Sequence, residues 1–281
     1  IYIERNRTTK EIKVSKIKSL LENGQLELVN GGISQADSAC TNYEDLIINY
    51  FSGMNYIVRT LGHTAVAAWQ LDPFGHSLSL PYIAKLFGLN HIVINRISDD
   101  LKETWKKEKS LQFKLVYPDN SFSYVHTTVY GYTSPSGLNC DEYCSRFLFN
   151  HREVSNYLNQ LGKEYAANPF HLIGEDFVFS NSKNAFNYLD YAISFFKNVK
   201  YSNWSEYVEK SNIDWDVAAK RTGDFFVYCS HWFREDPWSG YFTSKPKLKI
   251  TIAELGKRVR LINTLTFMYS NHKTLNEKTT S

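Results

Sequence analysis

The sequence predicts an α/β fold with a parallel sheet, followed by the opening helix of a second, helical domain. Apolar strand and helix patterns alternate over most of the chain, whereas from Pro246 onward the apolar residues recur with helical spacing only. A chain of 281 residues, 43% of them hydrophobic, is also long enough to bury a sizeable core.

The first two elements predicted are a short strand and an amphipathic helix. Residues 26–30 form an alternating, β-prone run that ends at a Gly-Gly pair, which indicates a strand and a turn. A helix is predicted from Tyr43 to Gly62, because Asn42 can cap its start and acidic residues occupy its first turn. Its predicted buried stripe comprises Leu46, Ile47, Tyr50, Phe51, Met54, Ile57 and Val58.

A strand–helix–strand unit follows. Residues 65–71 are predicted to be a buried strand, residues 79–87 a helix ended by Gly88, and residues 91–95 the next strand. Strands joined by one helix at this spacing are parallel, with a right-handed crossover. Asp72, in the turn after the first strand, therefore lies at the carboxyl end of a parallel strand.

The alternation continues to about residue 196. Asp176 follows a predicted strand over 171–173 and so occupies the same structural position as Asp72. Ligand sites of parallel α/β folds gather at such strand ends. The other elements predicted here are strands over 113–116 and 124–129 and helices over 153–166 and 187–196.

The last predicted element is a long helix that starts at Pro246. Its apolar residues fall mostly at spacings of four and three on one face, and such a stripe requires partner helices. The sequence therefore predicts an α/β domain over residues 1–235, incomplete at its amino terminus, and the start of a helical domain over residues 236–281. The stripe comprises Leu248, Ile252, Leu255, Val259, Ile262 and Tyr269.

Composition disfavours two classes of function. The net charge is +3, with 32 basic and 29 acidic residues interspersed, so no basic face indicates nucleic-acid binding. No apolar run approaches the roughly 18 residues that span a bilayer, and the chain begins at Ile1 without a signal-peptide pattern, as expected of an internal segment. Aromatic residues make up 15% of the chain, which is enough to suggest stacking surfaces for a ligand such as a sugar.

Four residues stand out as candidates for a site, and each also has an ordinary structural explanation. Asp72 precedes a proline and is explained as a turn former, and Asp176 as a carboxylate that caps backbone donors. Arg96 is equally explained as a surface cation and Trp238 as a packed aromatic. Together, however, two carboxylates and an arginine at strand ends match a site for glycoside hydrolysis. In that reaction one carboxyl group attacks the anomeric carbon and the other protonates the leaving oxygen.

The stretch WQLDPFGHS at residues 69–77 resembles the signature of family 38 glycoside hydrolases, the lysosomal and Golgi type α-mannosidases. Four further segments resemble segments of that family in the same order. They are LVNGG at 28–32, IGEDF at 173–177, GDFF at 223–226 and WSGYFTSKP at 238–246. The family's fold implies that the α/β domain is an incomplete parallel β/α barrel.

The resemblance assigns a role to each candidate. Asp72 matches the family's catalytic nucleophile, which is also a zinc ligand, and Asp176 matches its general acid/base. Arg96 matches an arginine beside the nucleophile, Tyr132 a tyrosine of the substrate pocket, and Trp238 an aromatic platform under the sugar. The implied activity is retaining hydrolysis of terminal α-linked mannose from glycans, with zinc as cofactor. As general acid, Asp176 is expected to have a raised pKa, helped by the apolar Phe177 and the charge of Asp72.

Two departures from the family pattern limit what the resemblance implies. Ile33 follows Gly31-Gly32 where the family has tryptophan. The family takes its other zinc ligands from a His-x-Asp segment and a further histidine, and none of the eight histidines here is followed two residues later by aspartate. Only one of the four zinc ligands, Asp72, is therefore expected in this chain, and the chain by itself is expected to be inactive.

Two other classes of function stay open at this point. One is a catalytically inactive relative in which the aromatics and Arg96 hold a mannoside. The other is a zinc hydrolase on another substrate, such as a deacetylase, which needs the metal but not Asp176.

Cysteines and sequons bear on the compartment. Cys140 and Cys144 lie close together in a loop and are expected to pair in an oxidising compartment, with two free buried thiols as the alternative. The motifs at Asn6 and Asn203 fit the N-glycosylation pattern. With the resemblance, these features predict a glycoprotein of the secretory pathway, lysosome-like or extracellular, whose partner is an α-mannoside glycan.

Overall fold

The computed structural model describes residues 7–135, 137–138, 149–231 and 236–279, with the helix ends 7–12 and 271–279 described by their backbone alone. The helices are α1 (Arg7–Glu22), α2 (Tyr43–Leu61), α3 (Ser79–Leu86), α4 (Asp99–Lys107), α5 (His151–Glu164), α6 (Ser182–Ile193), α7 (Trp204–Lys210), α8 (Gly240–Thr243) and α9 (Pro246–Thr279). The strands are β1 (Ala68–Gln70), β2 (His91–Ile94), β3 (Gln112–Val116), β4 (Phe122–Thr127), β5 (Ala219–Arg221), β6 (Cys229–Ser230) and β7 (Asp236–Pro237).

The central sheet has five strands in the order β1-β2-β4-β3-β5. β1, β2 and β4 are parallel neighbours, and β5 is parallel to β3. β3 and β4 form an antiparallel pair. The sheet is therefore mostly parallel, and the predicted α/β fold and the β1-α3-β2 unit are confirmed. The carboxyl ends of β1, β2 and β4 meet at one edge of the sheet.

Helix α2 begins and ends where the local signals predict. The side chain of Asn42 accepts a hydrogen bond from the backbone N–H of Asp45, and Gly62 ends the helix with a φ of 75°, a conformation that favours glycine. Ile47, Phe51 and Val58 of the predicted stripe are exposed, however.

The reason for this difference is a close approach between two backbones. Gly53 packs so tightly on Gly31 and Gly32 that an added Cβ would lie 2.2 Å from the carbonyl oxygen of Gly31. Leu46 and Tyr50, which share the face of Gly53, are buried. The position of a glycine, and not apolarity alone, therefore sets the buried face of this helix.

Two predicted strands are absent. Residues 26–30 run beside β1: the N–H of Val66 donates to the oxygen of Leu28 (2.9 Å), and the N–H of Asn30 donates to the oxygen of Ala67 (2.7 Å). The two bonds reach adjacent residues, so the register shifts and no regular ladder forms. Residues 171–173 are likewise outside any strand, and the nearby backbone bond joins Ser134 N–H to the oxygen of Gly174 (2.9 Å).

The long carboxyl-terminal helix α9 is confirmed, and its apolar stripe is exposed along its described length. Near its middle, Arg260 forms an ion pair with Asp45 of α2 (Nη1–Oδ1 2.7 Å). A separate helical domain over residues 236–281 stays a prediction, as does the boundary at residue 235. Of the helices that the structure describes, none is long and apolar enough to cross a membrane.

The residues on which the compartment prediction depends are only partly described. The predicted Cys140–Cys144 pair and the motif at Asn6 lie outside the described residues. Asn203 caps α7 by accepting from the N–H of Glu206, and its Nδ2 donates to the oxygen of Gly24 (3.0 Å). An N-linked sugar on Asn203 would be attached to this same Nδ2 atom.

Candidate active site

The candidate site lies at the edge where β1, β2 and β4 end. Asp72 comes two residues after β1, and Arg96 two residues after β2. Tyr132 lies in the turn that follows β4. Because parallel neighbours end at the same edge, these three side chains converge although up to 60 positions separate them along the chain.

Arg96 and Asp72 form a salt bridge. The Nε and Nη2 atoms of Arg96 lie 2.8 and 2.6 Å from Oδ1 of Asp72. Burial acts to lower the pKa of Arg96, but the hydrogen bonds and charge interactions with Asp72 and Tyr228 together raise that pKa above its ordinary value. The side chain of Asp72 is 55% exposed, so a ligand can reach it while Arg96 fixes its orientation.

Tyr132 joins the two predicted catalytic carboxylates. Its hydroxyl oxygen lies 3.1 Å from Oδ1 of Asp72 and 3.4 Å from Oδ1 of Asp176. Burial and the charge of Asp72 raise the pKa of Tyr132, so the phenol stays a donor near neutral pH. Since both oxygens reach one hydroxyl, they can lie no more than about 6.5 Å apart.

Asp176 occupies an exposed loop rather than the end of a strand. The next residue, Phe177, is fully exposed, so its ring does not cover Asp176. Phe177 and Phe179 both have positive φ values, 59° and 65°, a left-handed conformation that is uncommon for residues other than glycine. Strain of this kind clusters at functional sites and depends on surrounding structure to persist.

Aromatic rings surround the guanidinium of Arg96. Its Cζ lies 5.0, 5.7 and 5.5 Å from the ring centroids of Phe74, Tyr228 and Trp238. The Phe74 and Trp238 rings meet edge to face at 4.9 Å. The hydroxyl of Tyr241 donates to the backbone oxygen of Phe74 (2.6 Å). Trp238 is therefore brought into the same cluster as Asp72 and Arg96.

The cluster also contains Phe74, Tyr228 and Tyr241, three residues that no sequence pattern marks individually as site residues. Phe74 lies inside WQLDPFGHS and Tyr241 inside WSGYFTSKP, so position within those motifs was an available signal. Tyr228 lies outside every quoted motif. It reaches the cluster because its backbone oxygen accepts from the N–H of Trp238 (2.9 Å).

The turn after β1 is held by the segment that contains GDFF. Gly75 has a φ of 87°, and a Cβ there would lie 2.4 Å from the Phe226 ring, so glycine is required. The N–H of Gly75 donates to the oxygen of Arg96 (2.9 Å), and His76 and Phe225 exchange two backbone bonds. In the described residues, the carboxylate of Asp72 accepts from Arg96 and Tyr132 and not from its own turn. This pattern differs from that of an ordinary turn-forming aspartate.

The described residues do not form a complete metal site. Among them, no group of three or more His, Cys, Asp or Glu side chains is placed to hold an ion. The contacts of Asp72 fall on Oδ1, which leaves Oδ2 without a partner in the described part of the chain. Asp72 therefore offers one oxygen ligand, and a tight zinc site needs three or four.

The chain is similar to known glycoside hydrolases. A family model described as "Glycosyl hydrolases family 38 N-terminal domain" matches residues 2–231. α-Mannosidase F of Dictyostelium discoideum is 30% identical over an alignment 290 positions long, gaps included, which covers 94% of this chain and 28% of that protein. The lysosomal α-mannosidase of the same organism is 28% identical over an alignment of 287 positions, which covers 91% of this chain and 27% of that protein.

A solved structure agrees on the fold. An α-mannosidase from Enterococcus faecalis V583 aligns with a TM-score of 0.59 and 14% identity, over 78% of this chain and 24% of that chain. The chain spans about a quarter of the length of these relatives.

Proposed function

The chain belongs to glycosyl hydrolase family 38, and on that premise we propose that the whole protein is an α-mannosidase that removes terminal α-linked mannose with retention of configuration. One observation carries the proposal. The hydroxyl of Tyr132 lies within hydrogen-bond reach of both Asp72 and Asp176, so two carboxyl groups face one small space. Most glycoside hydrolases use such a pair.

The spacing of the pair favours retention over inversion. Retaining enzymes hold their carboxyl groups about 5–5.5 Å apart, whereas inverting enzymes separate them by about 6.5–9.5 Å to admit a water. The Oδ1 atoms of Asp72 and Asp176, at most about 6.5 Å apart, fit the shorter class better.

The proposed reaction has two steps. The Asp72 carboxylate forms a bond to the anomeric carbon while the bond to the leaving oxygen breaks and Asp176 gives that oxygen its proton. Asp176, now a carboxylate, then takes a proton from water, whose oxygen attacks the anomeric carbon and releases Asp72. Arg96 orients Asp72 through its salt bridge, and Tyr132 donates to Asp72 or to the sugar. The Trp238 ring offers an apolar surface on which a sugar face can stack.

The test is hydrolysis of an aryl α-mannoside by protein expressed from its complete gene, with the aryl β-mannoside and α-glucoside as controls. Proton NMR of the first-formed sugar distinguishes the anomers before mutarotation. We expect α-mannose from the α-mannoside and no product from the controls. Formation of β-mannose would contradict retention. Mannoside binding without turnover would instead indicate an inactive, sugar-binding relative.

Zinc is part of the proposal as a cofactor of the whole protein, with Oδ2 of Asp72 as the ligand that this chain supplies. Bound zinc would polarise hydroxyls of the sugar.

Because Asp72 alone cannot make a tight site, we expect the chain of 281 residues by itself to bind Zn²⁺ more weakly than micromolar, measured by calorimetric titration. The Asp72→Ala variant is the matched control. One-to-one binding at micromolar affinity or better would contradict the assignment of a single ligand.

We also propose a location in the secretory pathway, where the glycan substrates of such an enzyme occur. The name of one relative, the lysosomal α-mannosidase of Dictyostelium discoideum, supports this proposal. Immunolocalisation of the tagged protein tests it, and a cytosolic distribution would contradict it.

A further inference from the structure

A buried lysine contacts Asn95, the residue that precedes Arg96 of the candidate site. Lys102 of α4 is only 9% exposed, and its Nζ donates to Oδ1 of Asn95 at 3.0 Å. The same oxygen accepts from the hydroxyl of Thr128 at 2.8 Å. Within the part of the chain that the structure describes, Lys102 forms no ion pair with a carboxylate closer than 4 Å.

This ammonium group is unfavourable for folding. Burial lowers the pKa of Lys102 to about 8, so the group is still charged at neutral pH. The resulting cost is fully present below pH of about 8 and is relieved as the pH rises toward the unfolded value of about 10.4. Charges of both signs face it: Asp99, Glu103 and Lys106 of its own helix, and Arg96 after β2. His76 after β1 also faces it and is neutral, because burial lowers its pKa to about 3. An apolar side chain of similar shape would be tolerated at least as well.

The carboxamide that Lys102 holds connects two parts of the site. Asn95 directly precedes Arg96, and Thr128 directly follows β4. The amide of Asn95 also lies against the turn after β4, since a Cβ built at Gly131 would be 3.5 Å from Nδ2 of Asn95. The next residue in that turn is Tyr132. One side chain thus touches both strand ends from which Arg96 and Tyr132 extend toward Asp72.

We propose that Lys102 is a positioning residue for this site: its ammonium fixes the Asn95 carboxamide, which sets the placement of Arg96 and Tyr132 around Asp72. The expected change in kcat rests on the proposed function. The expected displacement of Arg96 or Tyr132 rests on the geometry alone. The buried charge of Lys102 lowers the stability of the fold, but it keeps Arg96 and Tyr132 in fixed positions. Functional sites commonly lower stability in this way.

The test is Lys102→Met in protein expressed from the complete gene. We expect kcat on an aryl α-mannoside to fall about 10- to 100-fold, because small displacements of positioned groups cost about that much. KM should change less than about twofold, and Tm should stay the same or rise, because a buried charge is removed while Thr128 still satisfies Asn95.

Tyr117→Phe is the matched control. It removes another buried hydrogen bond, from Tyr117 to Ser123 (2.8 Å), at the opposite end of β4. We expect its Tm to fall and its kcat to stay unchanged. If Lys102→Met instead lowers Tm and leaves kcat unchanged, as this control does, the proposal is overturned.

Thr128→Val provides a second variant if Lys102→Met does not fold. It removes the other donor to Oδ1 of Asn95 with little change of shape, and we expect a similar loss of kcat. Where Lys102→Met does fold, the double variant should lower kcat by less than the product of the two separate effects, because both changes act through one carboxamide. If the kcat of the double variant falls by the full product of the two separate effects, the proposal that both residues act through Asn95 is overturned.

A crystal structure of Lys102→Met tests the role of Lys102 even if the protein is not a mannosidase. We expect displacement of the Tyr132 hydroxyl or of the Arg96 guanidinium from Asp72, whether or not the protein hydrolyses mannosides. If both groups stay in contact with Asp72, the proposal is overturned even in an active enzyme.

Discussion

Replacing Asp72 with asparagine is expected to lower kcat of the whole protein on an aryl α-mannoside by at least about 10⁴-fold, because an amide cannot form the glycosyl-enzyme bond. The fold should survive. The amide oxygen of the new side chain can still accept from Arg96 and Tyr132, the two contacts that Oδ1 of Asp72 makes. The measurement pairs steady-state kinetics with Tm and with mass spectrometry of protein trapped by a 2-fluoro mannoside.

Asp216→Asn is the control for the loss of one carboxylate. Asp216 is fully exposed, and its ion pair with Lys114 is long, with 4.0 Å between Nζ and Oδ1. Its replacement should therefore change neither kcat nor Tm appreciably. If Asp72 served only to form the turn before Pro73, asparagine would be tolerated there as well. A folded Asp72→Asn protein that retains turnover would end the assignment of Asp72 as nucleophile.

Removing the carboxyl group of Asp176 is expected to have unequal effects on different substrates. In Asp176→Ala, hydrolysis of natural glycans should fall about 10²- to 10⁴-fold, the usual contribution of a general acid. Formation of the glycosyl-enzyme from a dinitrophenyl α-mannoside should be nearly unchanged, because that leaving group needs no proton. Its breakdown should become slow with every substrate, since the same residue activates water.

Azide separates this role from a structural one. A small anion can attack the accumulated intermediate without a base, so azide should restore turnover of the activated mannoside and yield mannosyl azide. Pre-steady-state bursts and product analysis by NMR measure both effects. Equal losses on activated and natural substrates, with no response to azide, would show that Asp176 is not the acid/base. Asp216→Ala again serves as the control.

The sequence predicted those helices whose ends are marked by a capping side chain or a glycine. Helix α2 begins at the cap formed by Asn42 and ends at Gly62, as predicted, and α3 ends beside Gly88. Helix α4 was not predicted, because charged residues dominate it and few apolar positions mark a stripe. The predictions of strands at 26–30 and 171–173 are wrong for a different reason. A strand is defined by its pairing with a neighbouring strand, and a local apolar pattern does not show whether a partner lies in register.

By itself, the sequence determined that Asp72 and Arg96 follow two parallel strands, because one helix joins those strands. Parallel strands have their carboxyl ends at the same edge of the sheet. It also determined the family, through motifs that occur in a fixed order.

Only the tertiary structure decided that the Tyr132 hydroxyl reaches both Asp72 and Asp176, and that the Lys102 ammonium donates to the carboxamide of Asn95. It also decided that the Phe177 ring points to solvent rather than over Asp176. These features depend on loop paths and on contacts between residues up to 60 positions apart, which no local pattern of polarity specifies.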